Sequence, residues 1–287
     1  MKKMLKVILL ISLLFTLFGC KSSDYKNALE EIAGGNYQVA IDSLKGIEDY
    51  KDSKAYIEIS ETMIAIEGNV LKGKELLNNG KKLLNNELLD SLTNAVNAGK
   101  QITNSLKENL TTENESFDPT TYLSDNDCIN LSNNLGSIVV EFDESQQKYV
   151  LVNNPTDAYV IECLETVDEI LGIDKVTEDH DPHGKLNKAK GYTAQVYFES
   201  SNVDQSEVRG TDIIEKGTLA GGSIEVYASE EDALARDQYL SAFDGTFLAS
   251  GSHKVIGTVI VRTSDLLKAS QQKELETKII DSLTKIK

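Results

Sequence analysis

The sequence predicts an α+β chain, with helices alone in its first part and a mostly antiparallel sheet covered by helices in its second. Three observations predict this class. Apolar residues recur at intervals of three, four and seven from Tyr25 to Leu110, the period of a helix face. Beyond residue 154 the period falls to two, in Tyr192-Ala194-Val196-Phe198 and again in Ile224-Val226-Ala228, and Lys254 to Arg262 is rich in β-branched residues. Helical stretches are interspersed among these strands, and strands mixed with helices in that order belong to an α+β domain.

The chain opens on Lys2, Lys3 and Lys6, an apolar run from Val7 to Phe18, and the tetrad Leu17-Phe18-Gly19-Cys20. The run is shorter than the ~20 apolar residues of a membrane span and fits the apolar region of a cleaved signal peptide. The tetrad resembles the bacterial lipobox. That resemblance implies a lipid on the Cys20 side chain and cleavage that leaves Cys20 as the mature N-terminus, with 1–19 the signal peptide and 20–23 the tether. One acyl chain binds a bilayer marginally and two anchor it, so a Cys20 carrying a diacylglycerol with palmitate-type chains holds the protein on the extracytoplasmic face of the cell membrane.

From Asp24, Tyr25, Ala28, Leu29 and Ile32 fall on one helix face and Gly34-Gly35 end the run. Tyr37, Ala40, Ile41 and Leu44 stripe a second helix, and Asp52 or Ser53 caps a third. Gly34-Gly35-Asn36-Tyr37-x-x-Ala40-Ile41-x-x-Leu44 resembles the turn and second helix of a tetratricopeptide-type hairpin, over too little chain for the concave groove of a full array. Leu76, Leu77, Leu83, Leu84, Leu88, Leu92, Val96, Ile102, Leu106 and Leu110 continue the helical spacing. Asn78-Asn79-Gly80 suits a bend into an antiparallel pair, since Gly costs about 1 kcal/mol inside a helix. The leucine stripe is either intramolecular core or a seam for a partner, and its register is too irregular for a coiled coil. Residues 24–110 therefore read as a helical adaptor region.

Thr111 to Thr121 is polar and contains Pro119, so 111–125 reads as a linker to a module over 126–287 with its core at 154–287. Gly136 to Phe142 and Lys148 to Val152 suit a β-hairpin around Asp143-Glu144-Ser145, with a helix over 126–135 as the other reading. Pro155-Thr156-Asp157 starts a helix with Val160, Ile161, Leu164, Val167 and Leu171 as its buried face. A short strand at 173–176, the strands at 192–198 and 224–228, a helix over 230–243, a strand over 254–262 and a last helix over 270–286 complete the order. The sheet is expected to be covered on one side. The segments Gly191 to Phe198, Gly222 to Tyr227, and Gly251-Ser252-His253 through Arg262 with Ser270-Gln271-Gln272 resemble a module that recurs at the C-terminus of Gram-positive lipoproteins and surface proteins. The resemblance covers 154–287 and implies an extracytoplasmic module, with no activity attached.

Acidic residues number 46 against 29 basic, a net charge of −17. Loss of Lys2, Lys3 and Lys6 with the signal takes it to −20. Such a surface repels nucleic acid and anionic lipid heads, which removes nucleic-acid binding from the expectations. Trp is absent and aromatics are few, so no large aromatic cage is evident. Besides Cys20 there are Cys128 and Cys163; an oxidising setting permits their pairing, the spacing does not require it, and Cys163 sits in a helical apolar pattern that suits a small buried residue.

One loop has ligand-like residues, Glu178-Asp179-His180-Asp181-Pro182-His183-Gly184. His180 and His183 with Asp179 or Asp181 suit a divalent ion such as zinc; the alternative is an Asp-Pro turn with exposed histidines. Thr218 to Ser223 is glycine-rich but lacks the Lys of a phosphate loop. Ser252 and His253 are adjacent on a strand and point to opposite faces, so they do not form a nucleophile-base pair. Asp212, Glu215 and Glu225 supply carboxylates without a spacing that selects two of them. With three histidines and no catalytic motif, the expectation is Cys20 as lipid site, no catalytic residue, no cofactor and no resident metal. The expected role is non-catalytic binding or adaptation to an envelope protein; capture of a small ligand or metal at 178–184 is the alternative, and a hydrolase the third reading.

Overall fold

The computed structural model describes residues 21–112, 117–246 and 251–287; the segment read as a signal peptide and Cys20 lie outside the described residues. The class is α+β, helices first and a five-stranded antiparallel sheet after them. Two units divide the chain, one of residues up to 81 with 85–143 and one of 82–84 with 144–287. No helix among the described residues is long and apolar enough to cross a membrane.

The first unit is helical. Helix α1 (21–34) ends at Gly35, whose φ of +83° lets the amides of Gly35 and Asn36 turn back to the carbonyls of Ile32 and Glu31 at 2.9 and 2.8 Å, the Schellman arrangement. Helix α2 (Tyr37–Lys45) buries the Tyr37, Ala40, Ile41 and Leu44 stripe. Helices α3 (Ser53–Asn78) and α4 (Glu87–Thr111) run antiparallel, since Gly73 faces Leu92 and Val96 while Gly99 faces Val70 and Ile66. A β-carbon would come within 2.5 Å of Val96 at Gly73 and within 2.6 Å of Val70 at Gly99, so close approach explains two glycines inside helices. Leu76, Leu92 and Leu106 are buried here, which makes that part of the leucine stripe intramolecular core.

Two sequence readings change in this region. The stretch read as a linker holds a short helix α5 (Tyr122–Asp125), and Tyr122 is buried with its hydroxyl donating to the Ile102 carbonyl at 3.1 Å. The β-hairpin expected over 136–152 is instead helix α6 (Cys128–Leu151). Leu135, Val139, Phe142, Tyr149 and Val152 are buried at helical intervals, and this period prevails over the β-branched Ile138-Val139-Val140 run that imitates a strand. Residues 128–143 of α6 belong to the first unit and 144–151 to the second, so the division between these compact units falls within a helix.

The second unit is built on the sheet. Helix α7 (Asp157–Leu164) starts at Thr156, whose hydroxyl accepts from the Tyr159 amide at 3.2 Å. Strands β1 (Ile170–Lys175), β2 (Tyr192–Ser200), β3 (Gly221–Tyr227), β4 (His253–Ile256) and β5 (Val259–Thr263) pair in the order β1-β2-β3-β5-β4, all antiparallel. Because β1 begins at 170, Leu171 is an exposed strand residue and not part of the buried face of α7. The single strand expected over 254–262 is two, reversed at Gly257 (φ +57°), where the Thr258 amide donates to the Val152 carbonyl at 3.0 Å. A bulge between Tyr192 and Ala194 sends Tyr192 to the face opposite Ala194, Val196 and Phe198.

The two faces of the sheet differ in chemistry. Val196, Phe198, Ile224, Val226, Val259 and Val261 form an apolar core with residues of α7 and α10 (Ala269–Leu283). The other face presents Tyr197, Glu225, Tyr227, Ile260 and Arg262, and α9 (Glu230–Ser241) packs against β3, β4 and β5 there. Helices therefore cover both faces, where the sequence placed them on one.

Candidate functional site

The polar face of the sheet centres on Glu225, which is 1% exposed. Its carboxylate accepts from Nε and Nη2 of Arg236 at 2.9 and 3.1 Å, from Nη1 of Arg262 at 2.8 Å and from the Tyr227 hydroxyl at 2.7 Å. Burial pushes the carboxyl pKa up, but the Arg236 hydrogen bonds and the two guanidinium charges outweigh it and hold it at about 2. Burial, followed by the charge of Glu225, pushes the Tyr197 hydroxyl up to about 12. That hydroxyl accepts from Nε2 of Gln195 at 2.9 Å and lies 3.4 Å from Nε2 of His183. Register places Gln195 opposite Glu225, and Tyr197 opposite Ser223, which in turn is opposite Arg262. In this row Oε1 of Gln195 and Oγ of Ser223 are buried with no hydrogen-bond partner.

Over this floor lies a cleft of about 1210 Å³. One wall is the chain from Ile214 to Leu219, beginning in the short helix α8 (Ile213–Lys216); the other is the Arg236, Tyr239 and Phe243 side of α9 and the residues after it. The loop from Pro182 to Gly191 forms the rim. Asp181 holds that loop in shape, accepting from the amides of Leu186 and His183 at 2.8 and 3.1 Å and from the Tyr192 hydroxyl. Further bonds run from the Gly184 amide to the Asp181 carbonyl (3.2 Å) and from the Asn187 amide to the Tyr192 carbonyl (2.9 Å). The rim lysines Lys185 and Lys190 are exposed and make no ion pair among the described residues, whereas Lys216 pairs with Glu199 at 2.5 Å.

His180 and His183, weighed in the sequence as one candidate metal pair against an exposed turn, separate. Asp181-Pro182-His183-Gly184 is a closed turn, with Asp181 engaged by the loop itself. His183 points at Tyr197. His180 instead lies 3.9 Å from Asp212 Oδ2, and one ligand atom each from His180, Asp212 and Glu215 fall within 4.8 Å of one another. Asp212 also accepts from the Glu215 amide at 2.8 Å, and Glu215 from the amide and hydroxyl of Thr211 at 2.8 and 2.7 Å, so both carboxylates are oriented. Asp179 joins neither group.

The remaining candidates resolve as structure. Thr218 to Ser223 leads into β3, where a β-carbon at Gly222 would lie 2.2 Å from the Arg262 carbonyl. Ser252 bonds Thr263 and Glu276, while His253 sits between Asp237 (2.7 Å) and Asp244 (3.3 Å). Cys128 and Cys163 are both free and buried, and burial pushes the Cys128 thiol up to about 11. Arg236, Arg262, Tyr197 and Tyr227 were not singled out by the sequence; the signal available was a charge within each of two β-rich runs, Glu225 inside one and Arg262 near the end of the other.

Fold and site together define an α+β protein with a helical unit and a sheet unit that carries a tyrosine- and arginine-lined cleft. No protein-family model matches the chain, and no curated protein or solved structure is similar enough to count as a match.

Proposed function

We propose that this is a lipid-anchored extracytoplasmic binding protein that takes a small ligand in the cleft of its sheet unit without transforming it. The Lys2 to Cys20 pattern supports the anchor and the address, and the helical unit is assigned the adaptor role toward an envelope protein. The observation that carries the binding reading is the triad of Arg236, Glu225 and Arg262 at the floor of an open cleft. Buried ion clusters are expensive to desolvate, and concave sites with a few convergent polar groups are where small ligands bind. The non-catalytic part of the reading rests on the histidines. His183 meets a tyrosine hydroxyl raised to about 12 and His253 is held between two carboxylates, so neither is paired with an activated nucleophile. Zinc capture at His180, Asp212 and Glu215 is a second reading, favoured by the orientation of both carboxylates.

The binding reading is tested by screening a fragment library for thermal stabilisation of the full chain. Trp is absent and Tyr numbers 11, so tyrosine emission reports on a cleft lined by Tyr192, Tyr197, Tyr227 and Tyr239. Stabilising fragments are expected to change that emission and to lose their effect in Tyr239→Ala, which alters a side chain 58% exposed. A library that yields no stabilising fragment, or fragments indifferent to Tyr239→Ala, refutes the cleft as the site.

A further inference from the structure

We infer that the ligand of this cleft is an organic anion, with a carboxylate or phosphate head held by Arg236, Lys185 and Lys190 and an aromatic or aliphatic body against Tyr239 and Phe243. This rests on the binding reading above and adds the chemical class.

Charge is the first argument. The residues around the cleft include the bases Lys185, Lys190, Lys216, Arg236 and Arg262 against the acids Glu215, Glu225 and Asp232; with Lys216 neutralised by Glu199 outside the lining, an excess of one positive charge remains. The chain as a whole stands at −17, so the cleft inverts the sign of its surroundings, and a concave site of one sign concentrates ligands of the other.

Availability is the second. Every acid of the cleft already has a partner of its own: Glu225 in the triad, Asp232 with the Ser229 hydroxyl at 2.7 Å, Glu215 with Thr211. Lys185 and Lys190 have none among the described residues, although acids outnumber bases in the chain as a whole. Their loop is knitted by Asp181 and by its own backbone bonds, so the two ammonium groups start from a fixed backbone. A ligand anion meeting them does not have to order that loop.

The third argument fixes the body of the ligand. Tyr239 and Phe243 stack edge to face with centroids 5.2 Å apart, and the Arg236 guanidinium carbon lies 5.4 Å from the centre of the Tyr239 ring. An apolar wall beside a planar cation suits an anion that carries an apolar group. The volume of about 1210 Å³ lies above the ~300–1,000 Å³ usual for small-molecule sites, which leaves room for that body.

The test measures equilibrium binding to the full chain of N-acetyl-phenylalanine, its carboxamide, phenyl phosphate and inorganic phosphate. The acid or phenyl phosphate, or both, are expected to bind, and which is tighter tells a carboxylate source from a phosphate source. The carboxamide is expected to bind about tenfold more weakly than the acid, since a hydrogen bond to a charged group is lost. Lys185→Ser with Lys190→Ser is expected to weaken the anions several-fold and flatten their salt dependence, with an unchanged melting temperature. Equal binding of acid and carboxamide overturns the anion class while leaving the cleft a binding site. Inorganic phosphate binding as tightly as phenyl phosphate overturns the apolar body. Failure of all four probes overturns the class, and the fragment screen separately decides whether the cleft binds anything.

Discussion

Glu225→Gln removes a charge and almost no volume, so it isolates what the buried carboxylate does for the sheet unit. In the native protein three guanidinium hydrogens and the Tyr227 hydroxyl converge on it at 2.7 to 3.1 Å. The amide keeps one acceptor oxygen and turns an NH2 group toward a guanidinium, leaving two buried or half-buried cations without their counter-charge. Breaking a buried pair by removing one partner costs about 3–5 kcal/mol. The Arg236 side chain is 25% exposed and recovers some hydration, which favours the lower figure. The depressed carboxyl points the same way: held at about 2 against an ordinary 4.5, it corresponds to about 3–4 kcal/mol at about 1.4 kcal/mol per tenfold. For a unit of this size each kcal/mol moves the melting temperature by about 2–4 °C, so the variant is expected to melt about 6–12 °C lower.

The assay is thermal unfolding of the full chain by far-ultraviolet circular dichroism, repeated from pH 7 to pH 3. A carboxyl whose native pKa is depressed stabilises the fold above its unfolded pKa, and that stabilisation is lost as pH falls toward the native value. The window here runs from about 4.5 down to about 2. Wild type and Glu225→Gln are therefore expected to differ by a constant amount between pH 7 and pH 5 and to converge below that. A difference under about 1 °C at pH 7 refutes the coupling of the triad to the fold; a difference that stays constant down to pH 3 refutes its origin in carboxylate ionisation.

Two further outcomes are expected. Cys20→Ser is expected to abolish incorporation of a labelled fatty acid and to release the protein from the membrane fraction; retained label at that position defeats the anchor. On the second reading, zinc raises the melting temperature of the wild type and of His183→Ala but not of His180→Ala, because a ligand that binds only the native state stabilises it by mass action. No shift in the wild type, or a shift abolished by His183→Ala, removes the His180, Asp212 and Glu215 site.

The helices of the first unit were legible because each buries a single stripe, as with Tyr37, Ala40, Ile41 and Leu44. The exception is instructive: Ile138-Val139-Val140 has strand propensity, yet Val139 is buried and Val140 is 56% exposed, and only the spacing to Leu135 and Phe142 shows which period rules. Strand positions were legible from alternation, while the bulge at Tyr192 and the reversal at Gly257 depend on single backbone states that alternation does not encode. At the candidate site, local sequence misled. His180 and His183 are three residues apart, but the Asp-Pro turn between them aims them at different partners, Asp212 and Tyr197. The triad was out of reach for a different reason: Glu225 meets Arg262 on the diagonal of the β3-β5 pair and Arg236 from α9. Knowing that contact requires knowing that β3 pairs with β5, which is a long-range fact.

That same sheet contains an internal control on what its charges are for. On one face, Val196, Ile224 and Val261 sit in facing positions across β2, β3 and β5 and are fully buried under helices, a purely apolar solution. One residue further along the same strands, the opposite face places Tyr197, Glu225 and Arg262, almost as buried. An apolar set of similar volume is often as stable as a buried ion cluster or more so, and the Val196, Ile224 and Val261 face of these strands uses such a set. The charged face thus gives up a cheaper solution in the same strands and at the same depth, a difference that the proposed binding in the cleft above it would recover. On the proposed function the triad serves as a binding floor as well as a stabilising element, and the cost of Glu225→Gln to the fold measures how firmly that floor is held.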